Sequence, residues 1–338
     1  MIVTQHPPLI HSLFNPCLVK VTQGTETKAE IRVSNNDDYG NYTILTREYF
    51  AGKATFDIKK VLRSLMIDRI TPIDTTPCWI DKNLFIEYTV RNADMDVIYQ
   101  ATAIFSVAQI QESSNYSDKR ARFLTAFDRI KKYNGYPVEL VVWAFRDGNT
   151  YISFDGENFT QVGANVFVLP LPLSESSFSV TVCNYEFESV PIQEDYKQFI
   201  MPIENPIMPE NPFYIRWINR QGGYDYWMFS YRQYLTRSIS NQQTFNPYVE
   251  NQETADSFEE LYDLSANESV RVGTEGLNAN DYDCVSKLIY SPKIEHYNPE
   301  TMKWTRIFVE KGDNELDTRS ILNQLEFTFK LPTVQLQF

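Results

Sequence analysis

Apolar and polar residues alternate along much of the first hundred residues, which predicts β-strands. In the segment KAEIRVSN, Ile31 and Val33 alternate with Glu30 and Arg32, and this period of two places the apolar pair on one face. Similar runs rich in β-branched and aromatic residues are separated by turn sequences such as QGTET, NNDDYGN and RNADMD. Residues 1–112 are therefore expected to form an N-terminal β-domain.

One segment of this region has the period of a helix. In TFDIKKVLRSLM the apolar residues at positions i, i+3, i+4 and i+7 are Ile58, Val61, Leu62 and Leu65. The side chain of Asp57 or Thr55 is placed to cap the first turn. We expect a single short helix among the strands.

The middle of the chain, residues 113–200, predicts a second β-domain. Its beginning is ambiguous, because four apolar residues between positions 123 and 130 have helical spacing. Two Asp-Gly pairs, Asp147-Gly148 and Asp155-Gly156, then lie between strand-like runs. They predict two hairpins, since type I′ turns need positive φ.

Residues 201–338 predict a C-terminal α+β domain. The segment begins with the proline-rich connector MPIENPIMPENPF and ends in the strand-like runs KIEHYN, KWTRIFVEKG and LNQLEFTFKLPTVQLQF. Between them, SFEELYDLSA suggests a short helix, and NDYDCVSKLIYSP predicts a better one that Asn280 or Asp281 would cap. The fold class expected for the whole chain is mainly β, with two or three β-sandwich or barrel-like domains and a few short helices.

The most aromatic segment is FYIRWINRQGGYDYWMFSYRQY, residues 213–234, in which nine of 22 residues are aromatic. The pattern predicts a hairpin with strands FYIRWIN and YDYWMFSYRQY around the turn RQGG. Both faces of each strand are apolar, which favours a hairpin covered on both sides. We expect Gly222 and Gly223 to supply the positive φ of the turn, and Arg216 and Asp225 to pair across the strands.

This segment has two possible roles. Aromatic side chains can stack on a sugar or a base, whereas aromatic residues on both faces of a hairpin are more typical of a packed core. The second interpretation is favoured, so the candidate site is a structural hairpin with no catalytic, cofactor-binding or metal-binding role. Its residues are Arg216, Trp217, Gly222, Gly223, Asp225 and Trp227.

The formal net charge of −13 narrows the choice of partners. Nucleic acid is not expected, because phosphate contacts need clustered Lys and Arg, and an anionic membrane surface would repel the chain. Ten acidic residues and a single base, Arg271, lie between Glu250 and Asp283, which would attract a basic protein surface. The sequence shows no signal peptide and no apolar run long enough to cross a membrane, so we expect a chain made in a cytoplasm.

Residues suited to catalysis or metal binding are scarce. The motifs CxxC, GxGxxG, Walker A, HExxH and GxSxG are absent from the sequence. The histidines are His6, His11 and His296. The four widely spaced cysteines, expected as buried free thiols, are Cys17, Cys78, Cys183 and Cys284. We therefore expect no enzyme activity, no metal and no cofactor.

Three stretches resemble structural proteins of tailed phages and prophages from gut anaerobes. They are FNPCLVKV…YFAGKATFDIKKVL, NPFYIRWINRQGGYDYWMFS and LIYSPKIEHYN…KWTRIFVEKG…LEFTFKLPTVQLQF, and together they span most of the chain. The resemblance implies a virion protein of the tail, connector or baseplate. The strand-like apolar termini and the acidic stretch lead us to expect a homo-oligomeric ring that also contacts other virion proteins. The resemblance implies no functional residues.

Two hypotheses of function follow. For the virion structural protein, the terminal segments MIVTQHPPLIHSLFNP and TVQLQF are expected to be arms that add to a neighbour's sheet. The alternative is a carbohydrate-binding receptor-recognition module, because Tyr39, Tyr151 and Tyr224 lie in or beside predicted turns.

Overall fold

The structure is a computed structural model of the 338-residue chain. It describes residues 2–7, 10–22, 27–36, 41–66, 81, 83–106, 121–144, 150–154, 158–161, 166–170, 177–184, 197–245, 260–313, 323–332 and 334–337.

The described residues form strands joined by turns, with two short α-helices. The elements up to residue 204 are β1 Ile2–Gln5, β2 Ile10–Ser12, β3 Leu18–Thr22, β4 Lys28–Asn35, β5 Tyr42–Glu48, β6 Lys53–Asp57, α1 Lys59–Leu65, β7 Phe85–Asn92, β8 Val97–Ile104, β9 Ala121–Phe123, β10 Ile130–Lys131, β11 Glu139–Ala144, β12 Thr150–Phe154, β13 Asn158–Gln161, β14 Val166–Pro170, β15 Ser177–Asn184 and β16 Lys197–Glu204. The later elements are β17 Phe213–Ile218, β18 Tyr224–Phe229, β19 Tyr231–Phe245, β20 Glu260–Leu277, α2 Ala279–Ser286, a 3₁₀ turn Lys287–Tyr290, β21 Ile294–Asn298, β22 Lys303–Asp313, β23 Asn323–Lys330 and β24 Val334–Gln337. The expectation of a mainly β fold with a few short helices is confirmed.

The chain forms two compact units. The first consists of Met1–Asn205 with Ile218–Asp225, and the second of Pro206–Trp217 with Tyr226–Phe338. The N-terminal and middle domains expected at 1–112 and 113–200 therefore lie in one unit. Part of the expected C-terminal domain, Ile218–Asp225, also belongs to the first unit, because a hairpin tip packs there although its sequence neighbours belong to the second.

The N-terminal core of the first unit follows the alternation seen in the sequence. Strand order is β2-β8-β7-β4-β5 in one sheet and β1-β3-β6 in another. Ile31 and Val33 of β4 are fully buried, and so are Val19 and Val21 of β3. A strand with one buried face shows this alternation because successive side chains point to opposite faces.

Helix α1 lies where the helical period predicts it, with Val61 and Leu62 buried. Its N-cap is Ile58, which makes no side-chain capping bond, so the expected cap at Asp57 or Thr55 is wrong in position. Asp57 still contributes, because its Oδ1 accepts a hydrogen bond from the Lys59 backbone N–H at 3.1 Å. One free N–H group of the first turn is therefore satisfied by the residue before the N-cap.

The middle of the chain is made of strands. The ambiguous stretch between residues 123 and 130 contains no helix among its described residues, and lies between β9 and β10. Strands β12 and β13 pair around residues 155–157, as the second Asp-Gly pair predicts. Strands β11 and β12 belong to different sheets, with orders β14-β11-β9 and β10-β16-β15-β12-β13. They therefore do not form the hairpin that the first Asp-Gly pair predicts. Both pairs lie outside the described residues.

The N-terminal segment, expected as an arm reaching a neighbour, pairs within its own unit. Strand β1 runs antiparallel to β3, with Ile2 opposite Thr22. Strand β2 runs parallel to β8, with Ile10 opposite Thr102. The apolar residues of this segment therefore complete the edges of the chain's own sheets.

The second unit contains one eight-stranded sheet in the order β18-β17-β21-β22-β23-β20-β19, with β24 also paired to β20. The helix expected from SFEELYDLSA is wrong where it is described, because Glu260–Leu277 is one long strand. Helix α2 confirms the second expected helix. Its cap is Asn278, whose side chain accepts from the Asp281 backbone N–H, and not Asn280 or Asp281.

The C-terminal segment also pairs within the chain. Strand β24 lies antiparallel to β20, with Ala266 opposite Val334, and the Leu331 backbone N–H donates to the Glu268 carbonyl at 2.9 Å. Strands β23 and β24 therefore pair with successive parts of β20 in the same chain.

Two of the four cysteines can be assessed. Cys17 and Cys284 are free and buried, as expected, whereas Cys78 and the side chain of Cys183 lie outside the described part. Neither α1 nor α2, the α-helices of the described ranges, is long and apolar enough to cross a membrane.

Candidate functional site

The two strands of the aromatic hairpin, Phe213–Phe229, are buried, whereas Arg220 in its turn is exposed. All six residues of β17 and all six of β18 are buried. This confirms the hairpin and its coverage on both faces. Its second strand is shorter than expected, because β18 ends at Phe229 and a separate strand, β19, begins at Tyr231.

Each face of the hairpin packs into its own aromatic cluster. On one face, the rings of Tyr214 and Tyr226 lie 5.9 Å and 6.1 Å from Trp304. On the other face, Phe213 stacks on His296 at 4.3 Å, and Phe229 lies 5.7 Å from Phe327. Offset and edge contacts at these separations stabilise a core beyond the area they bury. The aromatic residues are therefore used in packing.

The ion pair expected between Arg216 and Asp225 is wrong. Arg216 Nε donates to Glu295 Oε2 at 2.7 Å, and the two residues are register partners on β17 and β21. The guanidinium also lies 4.3 Å from the ring centre of Trp304, and Lys293 Nζ is 3.4 Å from the other Glu295 oxygen. A buried guanidinium needs a carboxylate at bonding distance, and the neighbouring strand supplies one.

The turn depends on a residue that sequence reasoning missed, Asn219. Its Oδ1 accepts the backbone N–H groups of Gln221 at 2.8 Å and Gly223 at 3.2 Å, while its Nδ2 donates to the Leu124 carbonyl at 2.7 Å. Asn at the start of a turn commonly bonds backbone groups two residues on, and this signal was present in NRQGG. Gly222 has φ +93, as expected, but Gly223 is required for a different reason, its close approach to Leu124.

The hairpin tip, Ile218–Asp225, is hydrogen-bonded to two other segments of the first unit, one at Leu124 and Thr125 and one at Asp81. Besides the bond to Leu124, the Tyr224 hydroxyl donates to Asp81 Oδ2 at 3.0 Å, and the Thr125 hydroxyl donates to Asp225 Oδ1. Tyr224, Asp81 and Asp225 are each at most 3% exposed. The tip is therefore an internal part of that unit.

Asp225 is the most perturbed carboxyl group of the site. Burial raises its pKa from the ordinary 3.8 to about 7, while hydrogen bonds from Thr125 and Asn219 act in the opposite direction. A perturbed carboxyl can indicate catalysis when it lines a cleft, but this one is 3% exposed. The raised pKa is thus a property of a packed tip, and it makes folding depend on pH.

We expect the Asp225→Asn variant to gain stability over the wild type as the pH rises. The folded carboxyl, with pKa about 7, holds its proton in a range where the unfolded carboxyl, with pKa 3.8, has lost it. Its contribution to stability is complete below 3.8 and is lost as pH rises through 7. Between pH 5.5 and 8.5 the variant's advantage in unfolding free energy should grow by about 2 kcal/mol, measured by urea unfolding at each pH.

Two comparisons keep this measurement specific. His11 and His296 have pKa values lowered by burial to about 4, so they make stability fall as pH drops below 6.5; both are present in the two proteins, and their effect cancels in the difference. Asp128→Asn, a substitution at a half-exposed carboxyl of the same unit, is the matched control. An advantage of Asp225→Asn that stays constant with pH would contradict the raised pKa.

The structure brings together one pair that sequence reasoning missed, His11 and Cys17. Cys17 Sγ lies 3.5 Å from His11 Nδ1, and His11 Nε2 lies 2.7 Å from the Tyr88 hydroxyl. A nucleophilic thiol needs a lowered pKa, but burial raises the pKa of Cys17 to about 12 and lowers that of His11 to about 4. The pair therefore stays neutral and satisfies polar groups inside a core.

The structure also bears on metal binding and on the tyrosines that suggested carbohydrate binding. Among the described residues, no group of three or more His, Cys, Asp or Glu is placed to hold a metal ion. Tyr224, one of the tyrosines that motivated carbohydrate binding, is buried against Asp81. Tyr39 and the side chain of Tyr151 lie outside the described part.

Comparisons with known proteins assign no family. No family model matches the chain, and no curated protein matches it. One similar solved structure is described as "Structures of Clostridium thermocellum CbhA fibronectin(III)-like modules", with 10% sequence identity, 60% of this chain and 94% of that chain covered, and a TM-score of 0.18. At this TM-score the likeness carries no argument about fold or function.

Proposed function

We propose that this chain is a structural protein of a tailed-phage virion, a ring component of the tail, connector or baseplate, that acts by assembling with other virion proteins and with copies of itself. The resemblance in three stretches of the sequence motivates the virion. One structural feature supports assembly, the long hairpin formed by β19 and β20.

The long hairpin, β19 with β20, is exposed on both faces near its outer edge. Strand β19 has 15 residues, about 50 Å of extended chain, and β20 has 18. Adjacent residues Tyr234 and Leu235 point to opposite faces and are 59% and 53% exposed. Apolar side chains that are exposed to solvent on both faces of a long hairpin are typical of a surface that a partner covers. This observation carries the proposal.

The charge of the chain supports a basic neighbour. Ten acidic residues and one base lie between Glu250 and Asp283. Within this stretch Arg271 is already paired with Glu326 at 2.6 Å. A basic surface on another virion protein would gain from meeting the remaining acidic groups.

The test is direct imaging of the full-length protein. We expect closed rings or oligomers by negative-stain electron microscopy, and masses that are multiples of the 39.5 kDa chain by sedimentation. A chain that stays monomeric at every concentration and joins no larger particle would overturn the proposal. Binding of the isolated monomer on a glycan array would favour the carbohydrate-binding alternative instead.

A further inference from the structure

The outer edge of β19 pairs with no strand in the part of the chain that the structure describes. In the sheet order, β19 is the last strand, and among the described strands only β20 pairs with it. An edge strand presents unpaired backbone N–H and C=O groups, which another strand can pair with. Natural proteins commonly protect such edges with Pro, charged side chains (especially Lys), bulges or very short strands.

One part of this edge has only one of those protections, the charged side chain of Arg237. The register of β19 on β20 is irregular between Tyr231 and Tyr234 and between Ile239 and Asn241, but it is regular from Tyr234 to Ile239. The six-residue segment YLTRSI contains no Pro, Gly, Lys, Asp or Glu. Tyr234, Leu235 and Ile239 are 59%, 53% and 64% exposed. We call this segment, Tyr234–Ile239, the open edge.

The open edge is where an apolar row of the core reaches solvent. Val309 of β22, Phe329 of β23, Val270 of β20 and Leu235 of β19 are register partners in sequence across four strands. Phe329 is fully buried and Val270 is 7% exposed, whereas Leu235 is half exposed. A further strand that placed an apolar side chain beside Leu235 would bury the end of this row.

We propose that the open edge pairs with the same edge of a second copy of this chain, antiparallel and about a twofold axis. This rests on the proposed assembly function and specifies one contact of it, which joins two copies; a ring also needs a second, different contact between copies. With the axis at Arg237, Leu235 lies opposite the partner's Ile239, and Ile239 opposite the partner's Leu235. The edge is thus self-complementary, as a twofold interface requires.

The charges permit this pairing. Arg237 is the only charged residue of the open edge, and its Nε donates to Glu268 Oε1 of the same chain at 2.7 Å. Across the twofold axis, Glu268 and Arg237 of one copy would be followed by Arg237 and then Glu268 of the second copy. Each guanidinium keeps its own carboxylate, so the two arginines meet without an uncompensated charge.

The test compares two double variants of the full-length chain. Leu235→Lys with Ile239→Lys places a lysine at each apolar position of the pairing, and lysine on an edge strand opposes strand addition. Phe308→Lys with Tyr290→Lys is the matched control, because these residues are 57% and 65% exposed in the same unit but do not lie on β19. Both variants add the same charge, and both should melt like the wild type.

We expect the first double variant to raise the dissociation constant for self-association by at least about tenfold, and the control to leave it within about twofold of wild type. The measurement is sedimentation equilibrium over a range of protein concentrations. If both variants associate like the wild type, the open edge is not the contact, although a ring held elsewhere would survive.

A cysteine test checks the register. Arg237→Cys places two thiols directly opposite each other at the axis, within the Cα separation that a disulfide needs, whereas Tyr234→Cys places its thiol opposite the partner's Ser240. Under mild oxidation we expect fast covalent dimers from the first variant and slow ones from the second. Equal rates would overturn the twofold register. Assembly only together with a different protein would overturn the second copy as the occupant while leaving the virion function intact.

Discussion

Replacing Trp217 by alanine is expected to destabilise the second unit by about 3–5 kcal/mol, the usual cost of removing a large aromatic side chain from a core. Trp217 is 1% exposed and lies opposite Ile294 in the pairing of β17 with β21. The substitution leaves a cavity beside a strand that is covered on both faces, so the surroundings have little freedom to collapse. Urea unfolding followed by tryptophan fluorescence and circular dichroism measures the loss.

Two further variants test whether the loss of stability in Trp217→Ala comes from its burial. Trp227→Ala should behave similarly, because Trp227 is 4% exposed on β18. Phe308→Ala removes an aromatic side chain that is 57% exposed and should cost less than about 1 kcal/mol. If the tryptophan variants unfold like the wild type but lose a bound sugar, the hairpin is a stacking platform and the packing interpretation is wrong.

Replacing Gly223 by alanine is expected to destabilise the first unit by about 3 kcal/mol. A Cβ at this position would overlap the Leu124 carbonyl oxygen and lie 2.8 Å from the Leu124 Cβ. The overlapped atom is backbone, so the tip itself must move. That movement would weaken the 2.7 Å bond from Asn219 to the same carbonyl.

The control for Gly223→Ala separates crowding from backbone strain. Gly135 has φ +79, and nothing lies within 4 Å of the place where a Cβ would be. Gly135→Ala should therefore lower the free energy of unfolding only by the strain of alanine in a left-handed conformation, about 1 kcal/mol. Gly222→Ala combines φ +93 with overlap on Ile104 and should cost at least as much as Gly223→Ala. A Gly223→Ala protein as stable as Gly135→Ala would show that the tip does not pack against Leu124.

The alternation of apolar and polar residues correctly predicted the strands that have one buried face. Strands β3 and β4 carry the pattern because half of their residues meet a core and half meet solvent. The two-sided apolar pattern of the aromatic hairpin equally predicted its burial. Helices α1 and α2 followed from apolar residues at helical spacing, although their caps were displaced by one to three residues.

The errors fall where a local pattern is compatible with two structures. SFEELYDLSA has apolar residues at spacings that suit a helix, yet from Glu260 it belongs to a strand held by β19, β23 and β24. The spacing between residues 123 and 130 left that stretch ambiguous for the same reason; in the structure it connects β9 with β10 and accepts a hydrogen bond from the hairpin tip at Leu124. Propensity is a weak signal when backbone partners from distant sequence are available.

The sequence alone therefore sufficed for the fold class, the core positions of the alternating strands and the packing role of the hairpin. Only the tertiary structure revealed the partners of its polar residues: Glu295, 79 residues from Arg216, and Thr125, 100 residues from Asp225. It also revealed that both terminal segments pair within their own sheets and that β19 lies at one end of the eight-stranded sheet. Periodicity reports which face of a segment is buried, but the partner that buries it is chosen by the chain's path in space, which no local pattern contains.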